Sequence, residues 1–324
     1  MARAKKRFSK SKLVKAEKLA VYSAILFAIG VAISMLYVGV GDVWGHIKAL
    51  PAWLWGALIL SSAANMGLRG YRWPLFVNKL GLKVPLKRIW LYYLSGNAMV
   101  VTPGKFGAVL RLWFLQRGHG IPYRKTLPLM MMDPITDLAA LLLIVLFGKL
   151  AVPHMQETAI FVFGAVFIGA VALMAWPKLL LMQIKLMYRL FGKRGKRFFA
   201  VLQKIARNLT QLVSPIVFLQ AVILSFLGWM AVVWAFQYVL MAMGHDVSLS
   251  MAAFIYALPI IIGGASMMPG GLGAAEASML ALLALADVPL DAAVAAVAVI
   301  RFITLWGGVG VGFSLLPLAV KKVS

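Results

Sequence analysis

The chain has no cysteine, only four histidines and only nine acidic residues in 324. The first absence removes disulfides, thiolate nucleophiles and cysteine metal sites, and leaves the redox compartment unread. All four histidines, His46, His119, His154 and His245, fall in expected loops. A histidine-based zinc or nucleophile site inside an apolar core therefore has no parts. No G-x-x-x-x-G-K-[ST] phosphate loop occurs, which argues against ATP hydrolysis by this chain. Charge of both signs is scarce: 13% of residues are charged and 63% hydrophobic, against about 25% charged in ordinary soluble domains. Most of the protein cannot face water.

What is present is a series of long apolar runs. About 20 mostly apolar residues cross a hydrocarbon core of about 30 Å. Such runs read at 19–40, 52–68, 126–148, 158–176, 215–241 and 292–318. The fold class expected is all-α, a polytopic integral membrane bundle with about six spanning helices. Residues 1–18 form a basic N-terminus with eight Lys or Arg against Glu17 alone, and 19–320 form a single transmembrane domain. The apolar run after residue 18 is too long for a signal-peptide core, so it is expected to stay as the first span.

The formal charge of +24 suits any polyanion, nucleic acid included. Position argues for a membrane instead. With the N-terminus in the cytoplasm, 28 basic residues fall on that side, six of them in 69–89 and nine in 178–213, while the outer loops hold Lys48 and Lys149. That asymmetry follows the positive-inside rule and places both termini in the cytoplasm of a multi-pass plasma (inner) membrane protein. Residues 178–213 mix basic and apolar residues without an acid, as amphipathic helices on an anionic leaflet do. No nucleic-acid partner is expected.

Two apolar segments are interrupted. Residues 90–115 break at Thr102-Pro103-Gly104, and 251–285 break at Met268-Pro269-Gly270-Gly271. Proline removes a donor and glycine relaxes the helix. The halves of the first segment, about 20 Å each, are too short to cross, so a re-entrant hairpin is expected; the second segment allows a hairpin or two short spans. The breaks share Pro-Gly-x-x-Gly-Ala, as Pro103-Gly104-Lys105-Phe106-Gly107-Ala108 and Pro269-Gly270-Gly271-Leu272-Gly273-Ala274, 166 residues apart. This marks a weak internal repeat, about 52–148 and 215–318. Three full spans separate the hairpins, so they enter from opposite sides, an inverted plan recurrent in secondary transporters.

With Pro103 and Pro269 at helix starts and Thr102 as N-cap, two half-helix N-termini would meet deep in the membrane and attract an anion. The plain alternative is that the glycines only permit tight packing. The ionisable residues within expected membrane segments are Lys105, Arg111, Asp133, Asp137, Glu276 and Arg301. Each needs a partner or a wet cavity. Asp133 and Asp137 share a helix face and want a cation between them or a proton on one. In one reading these are structural ion pairs, with Arg111 or Lys105 snorkelling outward. In the other, Lys105, Arg111 and Arg301 meet a headgroup, and Asp133, Asp137 and Glu276 couple protons or cations.

Arg72-Trp73, Asn97, the run Thr102 to Arg111, Asp133-x-x-x-Asp137, Pro269 to Glu276 and Arg301 together resemble the transmembrane-region family of lysylphosphatidylglycerol synthases, a flippase-like domain. The resemblance runs from about residue 50 to 315. It implies lipid translocation between leaflets, with an anionic phospholipid or a polyprenyl or hopanoid-type lipid as partner. Asn97 joins the expected headgroup site with Thr102, Pro103, Gly104, Lys105, Gly107, Arg111, Pro269, Gly270, Gly271, Gly273 and Arg301. The soluble aminoacyl-transferase domain of the full synthases is missing, so synthesis of lysyl lipid is not expected. The chain departs from the family pattern at Ala108, where many members carry Glu, and at Asp133-Pro134, where many carry Glu-Arg. The latter removes a positive partner near the acidic pair.

Two functions follow from these residues. One is a lipid transporter working by alternating access, needing no cofactor or metal. The other is an integral-membrane transferase acting on a lipid phosphate, with Asp133 and Asp137 holding a divalent cation. The oligomeric state stays open, a homo-oligomer included.

Overall fold

The computed structural model describes residues 39–102, 106–148, 214–266 and 268–323, with isolated helical positions between 22 and 32. The expected spans 19–40 and 158–176 and the basic segment 178–213 otherwise lie outside the described residues, as do Pro103, Gly104 and Lys105. Every regular element among the described residues is helical. In order these are α1 (Val40–Ala49), α2 (Ala52–Lys79), α3 (Leu86–Gly96), a 3-10 turn (Asn97–Met99), α4 (Phe106–His119), α5 (Tyr123–Gly148), α6 (Pro215–Ala242), α7 (Leu249–Ala265), a 3-10 turn (Pro269–Gly271), α8 (Ala274–Ala284) and α9 (Leu290–Arg301). A π-helical turn (Phe302–Trp306) then joins α9 to α10 (Gly307–Lys321).

Among the described residues three helices are long and apolar enough to cross a bilayer: Tyr123–Gly148, Pro215–Ala242 and the continuous Leu290–Lys321. A fourth crossing is supplied if α1 and α2, bent by 85° at Leu50-Pro51, count as one span. The protein is an all-α membrane protein. The expected span 52–68 ends too early: α2 runs 28 residues, to Lys79. Arg69 and Arg72, assigned above to a cytoplasmic loop, therefore lie inside the bundle. Trp73, Phe76 and Val77 are buried beyond them, so the helix resumes an apolar face after two charged residues.

Between helices in lipid no hydrophobic drive remains, and close packing of small residues takes over. α2 and α6 run antiparallel, so close that a Cβ added at Gly228 would stand 3.3 Å from Cα of Asn65. A side chain at Gly312 would collide with the backbone of Asn97 and Ala98, so α10 lies directly on the first hairpin. Within that hairpin α3 and α4 close until a Cβ at Gly107 would strike the carbonyl of Gly96.

The two broken segments are hairpins entering from opposite ends of the bundle. The open end of α3–α4 lies beside the C-terminus: Gly118 neighbours Tyr92 and Val323. The open end of α7–α8 lies at the other pole, where Phe254 packs on Gly148 and His46 bonds to Asp291 at 2.8 Å. In the second segment the 11 residues of α8 make only about 16 Å of helix, shorter than a full span. The tips meet. A Cβ on Gly270 would stand 3.4 Å from Cα of Val101 and 3.6 Å from its Cβ.

Two apolar clusters fill the bundle, one around Leu58, Ile144, Phe236 and Ile300, the other around Trp73, Phe76, Phe114 and Leu129. Between them, at the level of residues 65–72 of α2 and 133–137 of α5, lies a polar layer holding the buried charges.

Candidate functional site

Arg72 is the centre of that layer, with none of its surface exposed. Its Nη1 donates to Asp137 Oδ1 (2.8 Å), Thr136 Oγ1 (2.7 Å) and Ser225 Oγ (2.6 Å). Its Nη2 stands 3.2 Å from Asp133 Oδ1, an ion-pair contact off the hydrogen-bond line. The cation wanted between the two aspartates is thus a residue of this chain. Arg69 takes the outer side of Asp137 with two nitrogens, Nε at 3.1 Å and Nη2 at 2.5 Å, and its Nη1 donates to Asn65. It also lies over the Trp229 ring at 4.5 Å.

Arg111 projects from α4 into the same layer. It donates to Asp133 Oδ2 (2.9 Å), Asn97 Oδ1 (2.7 Å) and the Tyr93 carbonyl (3.1 Å), and lies 4.2 Å above the Tyr93 ring. Arg111 is buried, which corrects the snorkelling expectation. Trp73 adds an N–H to Asp133 at 2.7 Å. Gly96 makes room, since a Cβ there would strike the Arg111 side chain. Positive partners for Asp133 and Asp137 thus come from α2 and α4.

The second hairpin is arranged differently. Pro269 opens a 3-10 turn and not α8, which begins at Ala274 after Gly273. Gly270 (φ 61°) and Gly273 (φ 84°) hold left-handed backbone that other residues resist. Glu276 is consequently at the third position of α8 and not two turns along. Its Oε2 accepts from the Gly273 N–H at 2.6 Å, and its Oε1 accepts from Arg301 Nε at 2.5 Å. This helix start is occupied by its own carboxylate, which corrects the expectation of a free anion-attracting tip here. Arg301 also donates to the Gly270 carbonyl at 3.2 Å, and the π turn begins at the next residue. Such turns recur at functional sites. In the first hairpin, the Thr102 hydroxyl donates back to Met99 at 2.6 Å; the donors it would cap fall in the undescribed 103–105.

A cavity of about 620 Å³ lies between the tips, with Asn97, Thr102, Gly107, Ala108 and Arg111 on one side and Gly270, Gly271 and Arg301 on the other. Asp133, Asp137, Arg69 and Asn65 complete its wall, while Glu276 does not border it. Of the expected headgroup residues, Asn97, Thr102, Gly107, Arg111, Gly270, Gly271 and Arg301 share this cavity, whereas Pro269 and Gly273 do not border it; Arg69, Arg72, Asn65 and Gly96 are additions. The acid pair at i and i+4 signalled an unseen cation, and the apolar run from Trp73 to Val77 signalled that α2 continues past Arg72.

The family described as lysylphosphatidylglycerol synthase TM region matches residues 20–312 of this sequence. The chain belongs to this family. A relative named UPF0104 membrane protein, from Methanothermobacter thermautotrophicus, is 32% identical over 101 residues, which is 31% of this chain and 30% of that protein. The chain thus matches less than a third of that relative's length. As a member of the family the protein is an integral membrane protein.

Proposed function

We propose that the protein moves a polar or anionic lipid between leaflets, its headgroup crossing through the cavity between the two hairpin tips while the tails stay in lipid. One observation carries this reading: two broken hairpins from opposite ends of the bundle meet at Val101 and Gly270 beside a cavity walled with charge. Broken helices at the midplane of inverted repeats form substrate sites in transporters. Rocking of one repeat (about 52–148) against the other (about 215–318) would expose the cavity to each side in turn. The basic end, with Lys79, Lys83, Lys87, Arg117 and Lys321, would face the cytoplasm of the inner membrane.

Headgroup contacts in this reading come from Arg111, Arg301, Asn97 and Thr102, with Lys105 of the connecting segment. Asp133 and Asp137 are the coupling candidates, released or held as the guanidiniums exchange partners. The transferase reading needs the same two carboxylates for a divalent cation. Their oxygens are already engaged by Arg69, Arg72 and Arg111, which weighs against it. The test is reconstitution into vesicles with headgroup-labelled lipids and an external quencher. Faster loss of inner-leaflet signal than in protein-free vesicles is expected. No movement of any headgroup class by demonstrably folded protein would overturn the reading.

A further inference from the structure

The balance of buried charge restricts what the cavity can hold. Four guanidiniums, Arg69, Arg72, Arg111 and Arg301, face three carboxylates in this layer, and each carboxylate lies within 3.2 Å of a guanidinium nitrogen. A headgroup ammonium would find one acidic oxygen without a hydrogen bond, Asp133 Oδ1, already ion-paired at 3.2 Å with Arg72, and would sit amid surplus positive charge, a repulsion that low dielectric magnifies. A phosphate ester finds the reverse. Among the described residues Arg301 Nη1 has no hydrogen-bond partner, its Nε and Nη2 being used. Arg69 and Arg111 use one bond at each nitrogen, leaving second hydrogens on their Nη atoms. Guanidiniums of this kind grip phosphate oxygens with paired, charge-assisted bonds.

We infer that the cavity selects headgroups whose polar atoms near it are acceptors, phosphate mono- or diesters without a free ammonium, and that Arg69 sets this choice. The inference rests on the transport reading above. Arg69 is the most exposed of the cavity guanidiniums, at 25% of its side chain against 9% for Arg111 and 5% for Arg301. Among the described residues it alone holds Asp137 Oδ2. Replacing it by glutamine would cancel the surplus charge and free that oxygen for an ammonium.

The experiment is competitive retention of phosphatidylglycerol, phosphatidylethanolamine and lysylphosphatidylglycerol by the purified full chain, read by native mass spectrometry. Phosphatidylglycerol should be retained about tenfold or more over either amine lipid, a modest yield for one uncompensated charge. Arg69→Gln should bring the three to parity, and Arg69→Lys should keep the preference. Equal retention or an amine preference in the unsubstituted protein overturns the inference, and that ranking decides even if Arg69→Gln fails to fold. An unchanged ranking in folded Arg69→Gln overturns the role of Arg69. Displacement of bound phosphatidylglycerol by millimolar glycerol phosphate would assign the site to a soluble phosphate and overturn the lipid assignment. Failure to bind or move any lipid sinks the transport reading itself, whereas movement with an amine preference sinks only the selectivity.

Discussion

The two hairpins carry the same Pro-Gly-x-x-Gly-Ala motif and use it for opposite electrostatic ends. In the second, Glu276 caps its own half-helix and pairs with Arg301 one-to-one, so that tip is neutralised from within its repeat. In the first, three guanidiniums from α2 and α4 share two aspartates of α5, so that half carries the surplus positive charge. A repeated backbone device thus sets where a chain breaks, and the side chains beyond it decide which half attracts an anion. The first half keeps the positive surplus, and the second is balanced, with Arg301 Nη1 left over among the described residues.

The strongest way to break this comparison is to forbid the tips to part. A Cβ placed on Gly270 would lie 3.6 Å from that of Val101, within the range disulfides span, about 3.5–4.5 Å. The chain has no native cysteine to interfere. Val101→Cys with Gly270→Cys should therefore cross-link on oxidation, stop lipid movement in vesicles and recover it on reduction. Gly270→Cys alone controls for strain at a left-handed position. Undiminished movement in fully cross-linked protein would show that the two repeats need not separate there.

Next in size is the difference between the two charge clusters. Removing Arg72 takes one guanidinium from both Asp133 and Asp137, leaving them Arg111 and Arg69 alone, and also strips a donor from Thr136 and Ser225; breaking a buried pair costs about 3–5 kcal/mol. Arg72→Ala should lower the melting temperature of the detergent-solubilised protein steeply. Glu276→Gln keeps one oxygen, for Gly273 or for Arg301 but not on both sides, and turns an amide N–H donor toward the other, so it loses one acceptor and the charge assistance, about 1–3 kcal/mol. It should melt nearer to the unsubstituted protein and, by enlarging the positive surplus, hold anionic lipid longer. Equal melting losses for the two variants would erase the asymmetry.

The two backbone breaks were legible because they are written locally: proline and glycine act where they stand. Partners of the buried acids were not legible in the same way. Arg69 and Arg72 stand among small and polar residues at the end of a weaker apolar stretch, and hydropathy ends the span there. Only the packing of Ser225 and Gly228 on α6 against α2 shows that this stretch lies between helices. Glu276 misled for another reason: three glycines with left-handed backbone delay the helix start by one turn, and backbone sign is unreadable from a motif.

The smallest effect concerns how the attracting hairpin is anchored at its open end. His119 closes α4, with Nε2 3.4 Å from the Tyr92 hydroxyl, and burial, aided by the charge of Arg88, holds its pKa below the usual 6.5. The folded protein therefore binds fewer protons than the unfolded chain as pH drops below about that value. Stability contributed by the neutral ring is present above the unfolded pKa and is lost as pH falls through the lower folded one. The ring is only partly covered, so screening keeps this under about 1 kcal/mol. Melting curves between neutral and mildly acid pH should show a slight fall that His119→Gln flattens, with lipid ranking unchanged because His119 lies away from the cavity. A fall of equal slope in that variant would move the acid sensitivity to another group and leave the hairpin's open end held by packing of Tyr92 on Phe114.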